Sequence, residues 1–232
     1  MKNVLKEVFK RLHIVHNIHI KHKHPFRKKS YSMEGEDLEI IKLTKFIDKG
    51  FYVDAGCYHP LHLNNTYLLY RKNWNGMNID LSKFSIDLFN YMRPDDVNIN
   101  SAVTNNDGET IVYHQKEISQ LSTIKKEVAK NRMQVAIKEK KIISQKLTTI
   151  LNNSKFNKRK IDFLNIDLEG ADLEALNSLN FDIYRPKIIC IEIIDSNIEI
   201  TQTYKFLKNL KYNKVWSSKA NINHIFVDGL NV

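Results

Sequence analysis

The stretch that decides the fold is GFYVDAGCYHP, residues 50–60. Its apolar run, residues 51–53, favours a buried strand, and this run stops at Asp54, with Gly56 two positions later. Asp and Gly are common where a chain leaves a strand through a turn. The same pair also suits a ligand site, because a carboxylate then ends the strand and a glycine lets the backbone approach closely.

Strand-like and helix-like segments alternate from about residue 50 to residue 210. This alternation predicts an α/β fold in which a mainly parallel sheet carries helices on both faces. The last two strand-like segments, NKVWSS and NINHIFVD, predict an antiparallel pair. Residues 119–141 are basic and rich in charge, and we expect a helical insertion there, which is either a lid over an acceptor or a solvated surface helix.

The net charge of +10 is concentrated in residues 1–30, which carry nine Lys or Arg and one acid and leave only +2 for the other residues. A nearly neutral body disfavours a nucleic-acid-binding protein. Residues 1–30 indicate a basic amphipathic helix and a polar tail, with weak attachment to an anionic membrane surface or to a protein as the functional alternative. The histidines of this segment favour a solvated tail over a metal site, because no acid or Cys accompanies them.

Cysteine usage and hydropathy bear on the compartment. Cys57 and Cys190 lie far apart and form no CxxC pair, which argues against a disulfide framework or a zinc site and favours a reducing compartment. No apolar run approaches the roughly 20 residues of a transmembrane helix, and the first residues lack the features of a signal peptide. We therefore expect a cytoplasmic protein, with peripheral membrane association as the alternative.

Carboxylates stand at or close to the ends of four strand-like segments: Asp54, Asp80, Asp167 with Glu169, and Glu192. The carboxyl ends of parallel strands meet at one edge of the sheet, where ligands bind. Clustered carboxylates repel each other unless a cation or hydrogen-bond donors lie among them. The candidate ligands are therefore a metal ion, a ribose diol or a cationic compound.

The common nucleotide and hydrolase motifs are absent from the sequence, which has no GxGxxG, GxxxxGK[ST] or GxSxG. S-adenosylmethionine has a ribose and a positive centre and lacks a phosphate, so it suits the acids better. Asp80 lies 26 residues after Asp54, at the end of the second strand, where an acid can bind both ribose hydroxyls.

Several stretches together carry a family resemblance: YSMEGED, GFYVDAGCYHPLHLNNTYLLYRKNWNGMNID, RPDDVNINSAVT, LST, IDFLNIDLEGADLEAL and YRPKIICIE. In this order and spacing they resemble the FkbM-type S-adenosylmethionine-dependent methyltransferases over about residues 31–227. The resemblance implies a Rossmann-like, seven-stranded, mainly parallel sheet with an antiparallel final strand. It divides the chain into a basic leader, 1–30, and a methyltransferase domain, 31–232.

The resemblance also implies the residues of the site. It places Asp54, Gly56 and Asp80 on the cofactor, and the same pocket is expected to contain Glu36, Ser101 and Asp167. The family usually methylates a hydroxyl of a sugar or a related compound, and such a hydroxyl benefits from a general base. We expect Asp167 or Glu169 in that role, with His59 as a competitor. A divalent cation held by Asp167, Glu169 and Glu192 is the alternative use of these acids.

Three functions remain in competition. The leading one is O-methylation of a glycan or a small polyol. A nucleic-acid methyltransferase is favoured only by the basic leader, and the sequence lacks the (D/N)PP(Y/F) motif of enzymes that methylate base amino groups. The third is a binding module that kept the fold and lost the chemistry, against which the intact set of acids argues.

Overall fold

The computed structural model describes residues 2–24, 26–115, 121–134 and 136–230. Within these ranges ten strands form two sheets, and they are β1 (Phe51–Ala55), β2 (Asn75–Asp80), β3 (Val97–Asn100), β4 (Ala102–Val103), β5 (Gly108–His114), β6 (Lys138–Gln145), β7 (Phe163–Ile166), β8 (Ile188–Glu192), β9 (Tyr212–Ser217) and β10 (Asn223–Asp228). The main sheet has seven strands in the order β3-β2-β1-β7-β8-β10-β9.

The main sheet is parallel from β3 to β8, and β10 runs antiparallel to both of its neighbours. This arrangement confirms the predicted α/β fold with a mainly parallel, seven-stranded sheet and an antiparallel final strand. The carboxyl ends of β1, β2, β7 and β8 therefore meet at one edge. Every residue of β1 is buried, which explains why its sequence is apolar up to Asp54.

Helices cover the sheet. They are α1 (Lys2–Val15), α2 (Glu36–Leu43), α3 (Tyr67–Tyr70), α4 (Lys83–Met92), α5 (Lys126–Arg132), α6 (Leu147–Asn152), α7 (Asp172–Ser178), α8 (Phe181–Tyr184) and α9 (Gln202–Asn209), with a π-helical turn at His16–Lys21 and a 3₁₀ turn at Ile198–Ile200. Side chains of β1 alternate between two apolar clusters, so Phe51 and Val53 pack with α6, α7 and α9, whereas Tyr52 packs with α2 and α3.

The expected helical insertion at about 119–141 is only partly a helix. Its described part contains α5, but residues from Lys138 onward form β6, which pairs along its length with β5 in a separate sheet of order β4-β6-β5. The charged run KEKK favoured a helix over a strand. This segment is extended because β5 supplies its hydrogen-bonding partner, and Ile142 of β6 is buried. Tertiary pairing here overrides local propensity. Residues 116–120 and 135 lie outside the described part of the chain.

The leader docks on the domain instead of forming a free tail. Ile14 and Ile18 are buried in an apolar cluster with Leu61, Tyr67 and Leu88 of the domain. Asn17 is also buried, and its Oδ1 atom lies 2.7 Å from the Nε2 atom of His59. The leader is thus attached to the loop that follows β1.

We predict that Ile18→Ala lowers the free energy of unfolding by about 2–4 kcal/mol, because it opens a cavity in a fully packed cluster. The matched variant is Ile20→Ala, two residues away, whose side chain is 64% exposed and should change stability by less than about 0.5 kcal/mol. Urea denaturation of both variants measures the difference. Equal, small losses would show that the leader is not docked.

Candidate functional site

A cavity of about 260 Å³ opens at the carboxyl ends of β1, β2, β7 and β8. Six of its lining residues are acids, Glu36, Asp54, Asp80, Asp167, Glu169 and Glu192, and the described lining contains no Lys, Arg or His. Its other polar lining includes the amides of Asn64, Asn65, Asn165 and Asn223. The structure therefore brings the four strand-end acids together, as the sheet topology predicted.

Asp54 is almost fully buried and is held by neutral donors. Its Oδ2 atom accepts hydrogen bonds from the Thr66 hydroxyl at 2.8 Å and from the Asn64 amide at 3.3 Å, and its Oδ1 atom accepts one from the Asn165 amide at 2.9 Å. Burial raises the pKa of Asp54, and the Thr66 hydrogen bond is the largest opposing influence. A carboxylate in this setting gains from any cation that enters the cavity.

The donors around Asp54 are in turn fixed by Arg93, which is fully buried. Its guanidinium donates hydrogen bonds at 2.8 Å to the Thr66 hydroxyl and at 2.8 Å to the Asn64 amide oxygen. It also donates to the carbonyl of Pro60 at 2.7 Å. Arg93 thus positions the loop after β1, and with it the groups that hold Asp54.

Arg93 also reaches β2 through a tyrosine. Its guanidinium donates at 3.1 Å to the Tyr52 hydroxyl, which donates at 2.6 Å to Asp96. Asp96 accepts a further hydrogen bond from the Gly76 backbone at 2.7 Å and one from the Asn78 amide at 3.1 Å. The buried cation and the buried carboxylate are therefore joined through a neutral hydroxyl.

Asp80 ends β2 and is fixed by two backbone amides. Its Oδ2 atom accepts a hydrogen bond from the Tyr58 N–H at 2.8 Å, and its Oδ1 atom accepts one from the Ser82 N–H at 2.7 Å. Each carboxylate oxygen can accept a second hydrogen bond, so both remain able to bind a diol. Burial raises the pKa of Asp80 to about 6, against the effect of these two amides.

Gly56 allows β1 and β7 to end close together. Its φ of +86° lies in the left-handed region, and a Cβ atom at this position would overlap the carbonyl oxygen of Asp167. Three other lining residues without this freedom, Tyr58, Leu63 and Glu169, also have positive φ, at 50°, 51° and 52°. Such strain concentrates where a site requires a special backbone path.

Asp167 and Glu192 form the most acid-crowded part of the cavity. Asp167 directly follows β7, and its exposed side chain lines the cavity. Desolvation raises its pKa well above the usual range, and the charge of Glu192 raises it further. Desolvation, followed by the charge of Glu169, raises the pKa of Glu192 to about 7. Glu192 is therefore suited to exchange a proton near neutral pH, and Asp167 keeps its proton to a higher pH than an ordinary aspartate does.

Glu169 is partly neutralised, because its carboxylate forms an ion pair with Arg132 of α5. Desolvation raises the pKa of Glu169, and Arg132 opposes this shift. Thr123 strengthens the contact between the two segments, since its hydroxyl donates at 2.8 Å to the Glu169 carbonyl. The segment before β6 therefore lies against this side of the cavity.

Glu36 and Ser101 line the cavity as expected. Glu36, at the start of α2, accepts hydrogen bonds from the Asn223 amide and the Glu34 backbone, both at 2.7 Å. Ser101 joins β3 to β4, and its backbone N–H donates to the Asp80 carbonyl at 3.2 Å. The two residues stand on opposite sides of the sheet edge, one near β10 and the other near β2.

The structure does not bring His59 to the cavity lining. Its Nδ1 atom accepts hydrogen bonds from the Leu61 and His62 backbones at 3.0 and 3.1 Å, so its Nε2 atom carries the proton that faces Asn17. Burial lowers the pKa of His59 to about 2. His59 is therefore a buried structural residue, which corrects its interpretation as a competing base.

The alternative of a divalent cation on Asp167, Glu169 and Glu192 is not supported. In the part of the chain that the structure describes, no group of three His, Cys, Asp or Glu side chains is arranged to hold a metal ion. Arg132 already engages the Glu169 carboxylate. The set of acids without a lining cation fits S-adenosylmethionine instead, because that compound combines a sulfonium, an ammonium and a ribose diol.

Comparison with known proteins identifies the family of the chain. The model of the methyltransferase FkbM domain matches residues 54–214, which is more than half of the chain. The protein is thus a methyltransferase by family, of a class that depends on S-adenosylmethionine. It belongs to the FkbM methyltransferase family, as the sequence motifs indicated.

Among solved structures, the fold is similar to that of a TehB-like SAM-dependent methyltransferase from Corynebacterium glutamicum ATCC 13032 Kitasato. The two sequences are 9% identical, the match covers 85% of this chain and 89% of that chain, and the TM-score is 0.40. No curated protein matches the sequence.

The sequence did not reveal the residues that hold the acids, above all Arg93 and Asn165. Asn165 interrupts an apolar strand directly opposite Asp54 in the register, and a polar residue inside a buried strand is a signal of an internal partner. Arg93 lies at the end of α4 beside a proline, where a solvated surface position is the usual interpretation. Only the three-dimensional contacts show its role.

We predict that Arg93→Met destabilises the protein by about 3 kcal/mol or more, because several buried acceptors lose their donor at once. Arg71→Met is the matched control, since Arg71 is exposed and should change stability by less than about 0.5 kcal/mol. Denaturant unfolding measures both. If Arg93→Met does not fold, Thr66→Val removes one hydroxyl from the same network and should cost about 1–3 kcal/mol. A Thr66→Val variant as stable as the wild type would contradict the proposed network.

Proposed function

We propose that this protein is an S-adenosylmethionine-dependent O-methyltransferase that acts on a hydroxyl of a sugar, a glycan or a related small polyol. The observation that carries this proposal is the cavity at the strand ends, whose described lining has six acids and no basic side chain. Such a lining favours a cationic cofactor and an uncharged, hydroxylated acceptor. It disfavours nucleic acid, whose phosphates require Lys or Arg.

The cofactor would be held by residues at three strand ends. Asp80 would accept hydrogen bonds from both ribose hydroxyls, because its two oxygens are fixed side by side by backbone amides. Gly56 would allow the ligand close to the backbone after β1. Asp54, Glu36 and Asp167 would stabilise the positive charges of the methionine end.

The cofactor supplies a methyl group made electrophilic by its attachment to a sulfonium. Since the displacement is in line, the protein mainly has to position the acceptor and exclude water. Asp167 would accept the proton of the acceptor hydroxyl, because it is open to the cavity and its pKa is raised. Glu169 is less suited to this role, as Arg132 stabilises its charged form.

An uncharged polyol also suits the rest of the lining. The carboxamides of Asn65 and Asn223 point to the same cavity as the acids, and amides and carboxylates together can satisfy many hydroxyl groups. A phosphate or a carboxylate on the acceptor would instead be repelled by the acids of the described lining. We therefore expect neutral sugars to be better acceptors than their phosphorylated or acidic forms.

We predict that Asp80→Ala weakens the binding of S-adenosylmethionine by about 1–3 kcal/mol, the cost of leaving paired polar groups without a partner. Isothermal titration calorimetry on the wild type and the variant measures this loss. Asp95→Ala is the control, because Asp95 is exposed outside the cavity, and NAD is the control ligand. Saturable binding of NAD, or equal affinity of the wild type and Asp80→Ala for S-adenosylmethionine, would contradict the assignment of this site to S-adenosylmethionine.

We predict that Asp167→Asn lowers kcat by a factor of about 10²–10⁴, the usual contribution of a general base. In the wild type kcat should rise with pH, at a pH above the range in which an ordinary aspartate ionises, because a carboxyl with a raised pKa is protonated, and inactive as a base, at lower pH. Transfer of a labelled methyl group to a panel of monosaccharides and methyl glycosides, followed by mass spectrometry of the products, measures these rates.

The variant Glu192→Gln distinguishes which carboxyl is the base. It removes the neighbouring charge that raises the pKa of Asp167, so the rise of kcat should move to lower pH while activity persists. If the pH-dependent rise disappears in Glu192→Gln and remains in Asp167→Asn, Glu192 is the base. Labelled product on nitrogen alone would contradict O-methylation.

A further inference from the structure

Helix α1 presents an apolar face that the domain does not cover. Its exposed large apolar residues are Val4, Leu5, Val8, Phe9, Leu12 and Val15, with between 41% and 68% of each side chain accessible. Successive residues of an α-helix are separated by about 100°, so these six positions fall within a sector of roughly 140°. They therefore form one continuous stripe and not scattered exposed side chains.

The side of α1 that faces the domain is the opposite one. Lys10 forms an ion pair with Asp87 of α4 at 2.7 Å, and the ring of His13 lies 4.7 Å from that of Phe84. Ile14 is buried in the apolar cluster beneath the helix. Because these contacts hold α1 by its other side, most of the apolar stripe points away from the protein. Phe9, at one edge of the stripe, also lines a cavity between α1 and the domain.

Exposed basic residues accompany this stripe in the leader. Lys6 and Arg11 flank it on α1, and further exposed cations follow the helix at Lys21, Lys23, Arg27, Lys28 and Lys29. The single acid of the leader, Glu7, lies 3.7 Å from Arg11 and is partly neutralised by it. Residues 1–30 therefore combine an apolar stripe with a charge of +8.

We propose that α1 docks the protein on an anionic phospholipid bilayer, with the apolar stripe buried at the boundary between headgroups and acyl chains and the cations on the headgroups. A helix with these two features lies in the plane of the membrane surface. Its charge is complementary to the anionic leaflet, which attracts basic segments at about 1 kcal/mol per Lys or Arg near the surface. No helix in the described part of the chain is long and apolar enough to cross a membrane.

Charge also decides between a bilayer and a second copy of this chain. Two α1 stripes packed against each other would bring two leaders of +8 together, and like charges at an interface oppose association. A zwitterionic surface would accept the apolar stripe but would not use the cations. The anionic bilayer is the partner that satisfies both features of the helix.

The test is co-sedimentation of the full chain with vesicles of phosphatidylcholine containing roughly 30% phosphatidylglycerol, and with phosphatidylcholine alone. We expect binding to the anionic vesicles that falls at least about tenfold between roughly 0.1 M and 0.5 M NaCl, because salt screens the headgroup charges. The double variant Leu5→Asp/Phe9→Asp should lower the partition coefficient at least about tenfold.

Phe46→Asp is the matched control, since Phe46 is 89% exposed on the body of the domain and should leave vesicle binding unchanged. All three variant sites are exposed, so thermal unfolding and cofactor binding should match the wild type. Vesicle binding that survives in Leu5→Asp/Phe9→Asp would overturn the proposal. So would a concentration-dependent dimer, seen by sedimentation velocity and lost in the double variant, without any vesicle binding.

Discussion

The structure depends on one buried guanidinium that has no direct carboxylate partner in the described part of the chain. Arg93 is fully enclosed, with aromatic rings of Phe89, Tyr70 and Tyr67 at 4.9 to 5.6 Å from its guanidinium carbon. Its hydrogen bonds hold the loop after β1, and through the Tyr52 hydroxyl they reach the acid that fixes β2. A buried charge is stable only when hydrogen bonds replace its lost hydration. The same bonds that stabilise Arg93 therefore position the groups that hold Asp54.

This dependence explains how much of the fold and of the site can be predicted from the sequence alone. Strand-end acids such as Asp54 and Asp80 can be predicted from a sequence. The apolar pattern locates each strand, and the carboxyl ends of parallel strands always meet at one edge of the sheet. The strand at Lys138–Gln145 was not visible, since only pairing with β5 makes its charged sequence extended. Arg93 was also missed, because its acceptors lie 27 to 41 residues away in the chain. Contacts of this kind arise from tertiary structure and leave no periodic signal.

The leader gives a second example of the same limit. The sequence indicated an amphipathic helix and a polar tail outside the domain, and the helix is present. The histidine-rich part is not a free tail, because Asn17 meets His59 over 42 residues of sequence. The sequence suggested His59 as a competing general base. Its ring instead accepts hydrogen bonds from two backbone amides, and these bonds stabilise the loop after β1. The residue type of His59 suggested a catalytic role, whereas its contacts show a structural one.

The acidic lining of the cavity has a consequence for turnover under the proposed reaction. Methyl transfer converts the sulfonium of the cofactor to a neutral thioether, so the spent cofactor carries one positive charge fewer. Asp167 would take up the proton of the acceptor in the same step, and once that proton passes to solvent the described lining acids face a neutral thioether that they no longer attract. The electrostatics that favour the loaded cofactor therefore also favour release of the spent one.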